Sequence, residues 1–382
     1  MANMDIKTPK FFTDHINFLM ATGTTQNGNF DVVSGSNLIT VLNAGSEAEL
    51  FDMRPMNQVH FETSASATVR ADHVLINLDL GTNLFNCDFI ALLNHNMKSA
   101  EAKVRVAHSG TESNVQSADM GSATAISGVS EVVNADNIGS NVVEPATDGS
   151  TIFTFNSSTD QYWGIQFEGT NSQGSVTATN GTFNSTYDLK IGCILIGESY
   201  TMPHAPDIRL TRTIVYDGVT IQTSRGGQKF GNASHLGRRF ANARSKSPFA
   251  TSTNAFGVYG GRINYDMSFS FIQSSDLMPT AYDAEVTGSD TVVSDVWNRT
   301  KGNLIPFVFC SDSADVGDDA EQSYLFARFK DNKLNMSQVA DKLFSIKFNI
   351  EEEFWFIIIM FKFVPWWQGW TGHYSIMSLF II

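Results

Sequence analysis

The densest run of chemistry-bearing side chains lies between Arg209 and Arg262. There nine lysines and arginines stand against one acid, Asp217, in a chain whose formal net charge is −14. Arg225, Lys229, Arg238, Arg239, Arg244 and Lys246 belong to it, with Arg225 in the Gly-rich run Thr223-Ser224-Arg225-Gly226-Gly227-Gln228. Guanidinium groups offer planar forked donors that suit carboxylates and phosphates. The passage therefore suits an acidic neighbouring subunit, an anionic surface glycan or DNA phosphates; the plainer reading is a solvated loop that balances an acidic chain. Few aromatics interleave with these arginines, which disfavours stacking on single-stranded nucleic acid. Overall acidity disfavours general phosphate affinity as well. The expectation is a subunit interface through Arg225, Arg238, Arg239, Arg244 and Lys246, with no nucleic-acid partner.

Asp312, Asp315, Asp318, Asp319 and Glu321 form an acidic counterpart. Acidic, oxygen-rich loops hold calcium, but this spacing is not that of an EF-hand and Gly317 falls at the wrong offset. The aspartates are assigned to the same subunit contact, the alternatives being calcium or a solvated hairpin loop, and no metal is assigned. His95 and His204 lack partners at ligand spacing and read as hydrogen-bonded turn residues. Trp163 and Trp297 read as core anchors, with Trp163 also a candidate to stack on a sugar. Cys87, Cys193 and Cys310 are odd in number, far apart and set in apolar runs, so buried free thiols are expected. No nucleophile elbow, zincin helix, phosphate loop, carboxylate pair or β-helix repeat occurs. The expectation is a protein that is not an enzyme and carries no cofactor.

These side chains must be positioned by strands. Only 17% of residues are charged and phenylalanine reaches 29, a composition of β-sandwiches with long loops. Residues 1–27 read as an N-terminal arm, packed on a neighbour or left as a loose terminus. Residues 28–198 read as one β-sandwich domain, β throughout from Phe30 to Gly197. Leu75 to Leu80 alternates, and Cys87-Asp88-Phe89-Ile90-Ala91-Leu92-Leu93 is a continuous apolar run suited to a strand covered on both faces. Leu189 to Ile196 reads as a single buried strand, and Ser109 to Gly149 as a long surface excursion. In residues 199–353, Arg262 to Phe271 follows strict period two. Ser289 to Arg299 reads as a helix capped by Ser289 or Asp290. Leu304 to Phe309 reads as a strand that Pro306 places at an edge.

The chain start shows no apolar leader or cleavage site, so no signal peptide is expected. The last 29 residues, 354–382, hold ten aromatics, with Lys362 and His373 as their only ionisable side chains. The apolar run before Pro365 is too short for the roughly 20 residues that span a bilayer. A contact arm and a misplaced chain end are the two readings of this tail.

Leu78-Asp79-Leu80-Gly81, Cys87 to Asn96, Val104-Arg105-Val106, Tyr162 to Phe167 and Leu189 to Gly197 together resemble the discoidin, or galactose-binding-like, β-sandwich. The resemblance covers roughly residues 60–197 and implies a carbohydrate-binding fold, although the ligand loops of that family are not recognisable. From Gly197-Glu198-Ser199-Tyr200-Thr201-Met202-Pro203-His204-Ala205-Pro206-Asp207, the spaced elements are similar to a group of tail and tail-tip proteins of marine phages. Gly226-Gly227-Gln228, Gly261-Arg262, Asp295-Val296-Trp297-Asn298-Arg299 and Ile346 to Glu351 continue that pattern.

The reading is thus a mainly β protein of two β-sandwich-like domains with a short helix in the second. The resemblance implies a virion structural protein of the tail or tail tip, assembled in the host cytoplasm with copies of itself and other tail proteins. Host surface glycans are a further partner, and no membrane span is expected. The alternative is a carbohydrate-binding adhesin module.

Overall fold

The computed structural model describes residues 7–22, 29–66, 72–81, 85–117, 120–136, 138–139, 141–170, 181–215, 219–233, 262–279, 290–317 and 320–353. The early strands are β1 (Lys10–Asp14), β2 (Asn29–Val32), β3 (Leu42–Ala44), β4 (Val59–Phe61), β5 (His73–Asp79), β6 (Cys87–His95) and β7 (Ala102–Ser109). Then come β8 (Thr124–Ala125), β9 (Ser130–Val133), β10 (Val142–Val143), β11 (Gly149–Ser158), β12 (Tyr162–Gly169), β13 (Leu189–Ile191) and β14 (Cys193–Thr201). The last are β15 (Thr211–Val215), β16 (Val219–Thr223), β17 (Lys229–Ala233), β18 (Arg262–Gln273), β19 (Phe307–Cys310), β20 (Tyr324–Phe329), β21 (Met336–Ala340) and β22 (Leu343–Glu352). Among the described residues helical structure is sparse: α1 (His15–Thr22), α2 (Glu112–Val115), α3 (Ser274–Leu277), a π-helical segment, Val292–Asn298, and short 3-10 turns at Glu47–Phe51, Ser64–Ser66 and Ala320–Ser323.

One antiparallel sheet runs through both halves of the molecule in the order β15-β18-β22-β20-β19-β1-β14-β6-β11-β9, with β21 added on β22. A second sheet, β10-β7-β12-β5-β2 with β8 on β7, faces its near end. Val74, Ile76, Leu78, Val104, Val106, Trp163, Ile165 and Phe167 of that sheet close on Ile90, Leu92, Phe153, Ile194 and Ile196 of the long one. This is a β-sandwich, and the chain as a whole is mainly β. Strand β6 is buried on both faces, as its unbroken apolar run requires. Ile90 and Leu92 enter the sandwich, while Phe89, Ala91 and Leu93 pack behind it against Val308, Tyr324 and Phe326.

The N-terminal segment read as an arm contains the strand that joins the halves. Strand β1 pairs with β14 on one side, Phe11 opposite Tyr200, and with β19 on the other, Phe11 opposite Phe309. Phe11 and Phe12 point to opposite faces and are both fully buried. Phe11 lies among Phe307, Phe309, Phe329 and Phe348 with ring centroids 5.3 to 6.1 Å away. Phe12 meets Phe89 edge-on at 5.1 Å. Burial of two such rings contributes on the order of 4 kcal/mol, with the tilted ring contacts adding to it. The close approach of β1 to β14 requires glycine at position 197, where a Cβ would lie 1.9 Å from the Thr13 carbonyl oxygen.

Beyond β19 the sheet is covered on one face by the π-helical segment and α3. Val292, Val293, Val296 and Leu277 pack on Tyr265, Met267, Phe269, Phe348 and Ile350. The alternation of β18 breaks at a bulge between Phe269 and Ile272, where Phe271 takes φ +64° and turns outward.

Four sequence expectations are corrected here. The helix cap is Thr291, whose side chain accepts the Ser294 N–H at 3.3 Å, rather than Ser289 or Asp290. Pro306 precedes β19, where no ladder N–H is needed, and β19 is an interior strand between β1 and β20. Leu189–Ile196 is split at Gly192 into strands of different sheets; a Cβ there would meet the Pro55 oxygen at 2.1 Å. The excursion after Ser109 carries α2 and the short strands β8, β9 and β10.

Candidate functional site

Strand β1, helix α1, strands β6 and β14 and the π-helical segment converge on one buried polar cluster. Asp14 ends β1 and caps α1: its Oδ2 accepts the Asn17 backbone N–H at 2.7 Å and the Asn17 side-chain amide at 2.9 Å. Its Oδ1 accepts the Ile196 N–H of β14 at 3.1 Å. The Thr13 hydroxyl lies 3.2 Å from the Glu198 carbonyl oxygen and 3.3 Å from that of Asp295, touching both halves. His15 Nε2 donates to the Asn86 carbonyl at 2.9 Å, and the Asn86 amide reaches Glu198 Oε1 at 3.4 Å. The Arg299 guanidinium lies 4.5 Å from the Phe85 ring centre and 5.0 Å from that of Phe18.

Burial dominates the electrostatics. It pushes the Glu198 carboxyl up to about 7, with the Asp295 charge adding to the effect and Arg299 opposing it. It raises Asp14 to about 6 against four hydrogen bonds that favour the ionised form. It lowers His15 to about 3, helped by the Arg299 charge, so this imidazole is neutral. Such groups are acid–base equipment. Here, however, Glu198 is 8% exposed, Asp295 2% and His15 0%, so they are closed off from solvent. The cluster is the polar weld between the halves.

A second polar constellation is open to solvent. At the sandwich end where β5 and β7 finish and β12 starts, Asp160 Oδ2 lies 2.6 Å from His108 Nδ1. Ser158 Oγ sits 3.1 Å from the same nitrogen. A Ser-His-Asp relay uses both ring nitrogens, so this trio is a hydrogen-bonded cluster and not a nucleophile. His108 stacks on Trp163 at 5.0 Å, and Trp163 Nε1 donates to the Asp160 carbonyl at 2.8 Å. Gln161 is held to Asp79 Oδ1 at 2.9 Å. The Asp160 carboxylate and the Tyr162 side chain are left partly accessible beside it, a fixed polar surface suited to a hydroxylated ligand.

The residues singled out in the sequence are dispersed. Trp163 is fully buried against Phe155 and His108, so its ring face is closed to a sugar and it serves as a core anchor. Arg225 is exposed in the turn of the β16–β17 hairpin, where Gly227 takes φ +82°. Arg238, Arg239, Arg244, Lys246, Asp318 and Asp319 lie outside the described residues, as does the aromatic tail from Phe354.

Asp312 pairs with Lys7 at 3.5 Å and accepts the Ala314 N–H at 3.1 Å, and Asp315 accepts the Ser323 hydroxyl. Their loop reaches back to β9, where the Gly317 N–H meets the Val132 carbonyl at 3.1 Å, and Ala320 packs in the same core as Val132. These two aspartates thus order a strap within the chain. Among the described residues, no group of three or more His, Cys, Asp or Glu is placed to hold a metal. No described helix is long and apolar enough to cross a membrane. His95, expected in a turn, is instead the fully buried last residue of β6, bonded to Thr151 at 2.8 Å and to the Met97 N–H at 3.2 Å. All three cysteines are free and buried.

No protein-family model matches the chain, and no curated protein matches it. Among solved structures it is similar to chitosan-binding module 1 of a chitosanase/glucanase from Paenibacillus sp. IK-5. That match has 12% identity, covers 44% of this chain and 92% of the module, and has a TM-score of 0.25. CBM32-1 of a family 31 glycoside hydrolase from Clostridium perfringens gives 10% identity, 44% and 93% coverage and a TM-score of 0.26. Truncated AlyQ, with CBM32 and alginate lyase domains, gives 13% identity and a TM-score of 0.25, over 64% of this chain and 49% of that one. Scores near 0.25 are too low to assign a common fold, so the architecture rests on the strand pairing above.

Proposed function

We propose that the chain is a non-enzymatic virion structural protein of a phage tail or tail tip, working through contacts between copies of itself and with other tail proteins. The observation that carries this reading is the sheet that passes unbroken through both halves, with β1 as its interior strand. Such a body is stiff building material. Beyond the sandwich, Ile208, Ile214, Ile221, Phe230, Phe271 and Leu304 are large apolar side chains left exposed, which a neighbour would cover. The spaced elements from Gly197 to Glu351 support the same reading. Light scattering on the purified full chain tests it. A discrete oligomer is expected; a monomer that persists at high concentration would overturn it.

A second reading has its own observation. The His108–Asp160–Tyr162 end of the sandwich is polar, preorganised and partly accessible, and the sandwich half carries the discoidin-like pattern. We infer a carbohydrate-binding role for this end, in which Asp160 accepts from sugar hydroxyls. Retention on immobilised surface glycans that Asp160→Asn removes would support it. Retention unchanged in that variant, or absent from the parent, would reject it.

A further inference from the structure

Strands β16 and β17 form a two-stranded sheet of their own, and among the described residues they pair only with each other. An isolated two-stranded hairpin is marginal in water, yet this one offers large apolar side chains on both faces. Ile221 stands opposite Gly231 on one face at 65% exposure, and Phe230 opposite Gln222 on the other at 55%. Arg225 and Lys229 are exposed at its tip, and the passage from Arg209 to Arg262 that contains it carries nine bases against one acid. The sandwich half has the opposite character. Residues 28–198 hold 19 Asp/Glu against six Lys/Arg, a formal net charge of −13.

We propose that the β16–β17 hairpin is a docking arm that seats on the acidic sandwich half of a second copy of this chain. The contact joins the hairpin of one copy to the sandwich of another: reciprocated about a twofold axis it closes a dimer, and passed head to tail it builds a ring or a filament. Charge selects the partner surface and brings the copies together, while Ile221 and Phe230 are covered on contact. Salt therefore weakens the association. This proposal rests on the assembly reading above and names the element and the surface that would carry it.

Zero-length carbodiimide cross-linking of the full chain, with isotope-labelled and unlabelled copies mixed, tests it directly. Links between copies from Lys229 to carboxylates of residues 28–198 are expected. Links confined to Lys229's own chain, or running to residues 263–353 of another copy, would overturn it. Sedimentation of R225E/K229E and of I221S/F230S gives the second readout, with circular dichroism as the check on folding. Each pair is expected to weaken self-association by roughly tenfold or more. Undiminished association of folded variants would sink the arm while leaving assembly standing. A parent chain that never associates would remove both.

Discussion

Replacing Glu198 by glutamine should stabilise the protein at alkaline pH and leave it unchanged in acid. Folding carries this carboxyl into the weld between the halves and raises its pKa from 4.5 to about 7. An acid whose pKa rises on folding holds its proton more tightly in the folded state. Its contribution is therefore most favourable below pH 4.5 and is lost as pH climbs through about 7. At about 1.4 kcal/mol per pKa unit, the ionised side chain costs on the order of 3 kcal/mol at pH 8 relative to pH 4. Glutamine keeps the shape and hydrogen-bonding capacity without the charge. Asp14 and His15 titrate in both proteins, so their contributions largely cancel in the difference.

The assay is urea denaturation of parent and variant at several pH values, comparing midpoints at matched slopes. The expected result is a gap of about 2 to 3 kcal/mol at pH 8 that closes by pH 4. A variant less stable than the parent at pH 8 would refute the reasoning. It would mean that Arg299 holds Glu198 as a carboxylate in a net favourable pair.

Three further outcomes follow from the packing. Glu168 lies between Lys103 at 3.6 Å and Arg105 at 2.6 Å, with Lys103 and Glu168 almost fully buried. Glu168→Ala should cost about 3 to 5 kcal/mol by removing the buried carboxylate that both cations share, read as a fall in urea midpoint. Phe11→Ala should cost a similar 3 to 5 kcal/mol, because four phenylalanine rings lose their shared neighbour. The His15 pKa is lowered to about 3, so this residue contributes stability at neutral pH that is lost as pH falls from about 6.5 towards 3. An uncharged polar replacement at His15 should flatten acid denaturation over that window.

Much of the sandwich was legible because each strand states its own environment. The apolar run from Phe89 to Leu93 demanded cover on both faces, and the alternation in β18 announced one buried face, although nothing in it marked the bulge at Phe271. The role of β1 was not legible. Lys10–Asp14 is five residues long, too short for a period to register, and its Thr13 reaches carbonyls 185 and 282 residues away. The weld was hidden for the same reason, since Asp14, Glu198 and Asp295 come together only through the fold. Pro306 misled because a proline before a strand and one within an edge strand look alike in sequence. The basic passage was visible as charge, and only the pairing of β16 with β17 showed that part of it forms a separate hairpin.

Hydrogen exchange of the native chain, followed peptide by peptide, tests most directly whether one sheet joins the two halves. Amides of Phe11, Phe12 and Thr13 should exchange as slowly as those of β6, and the protection of both should disappear together in one cooperative opening. Rapid exchange across Lys10–Asp14, with β6 still protected, would contradict the weld and the rigid body built on it.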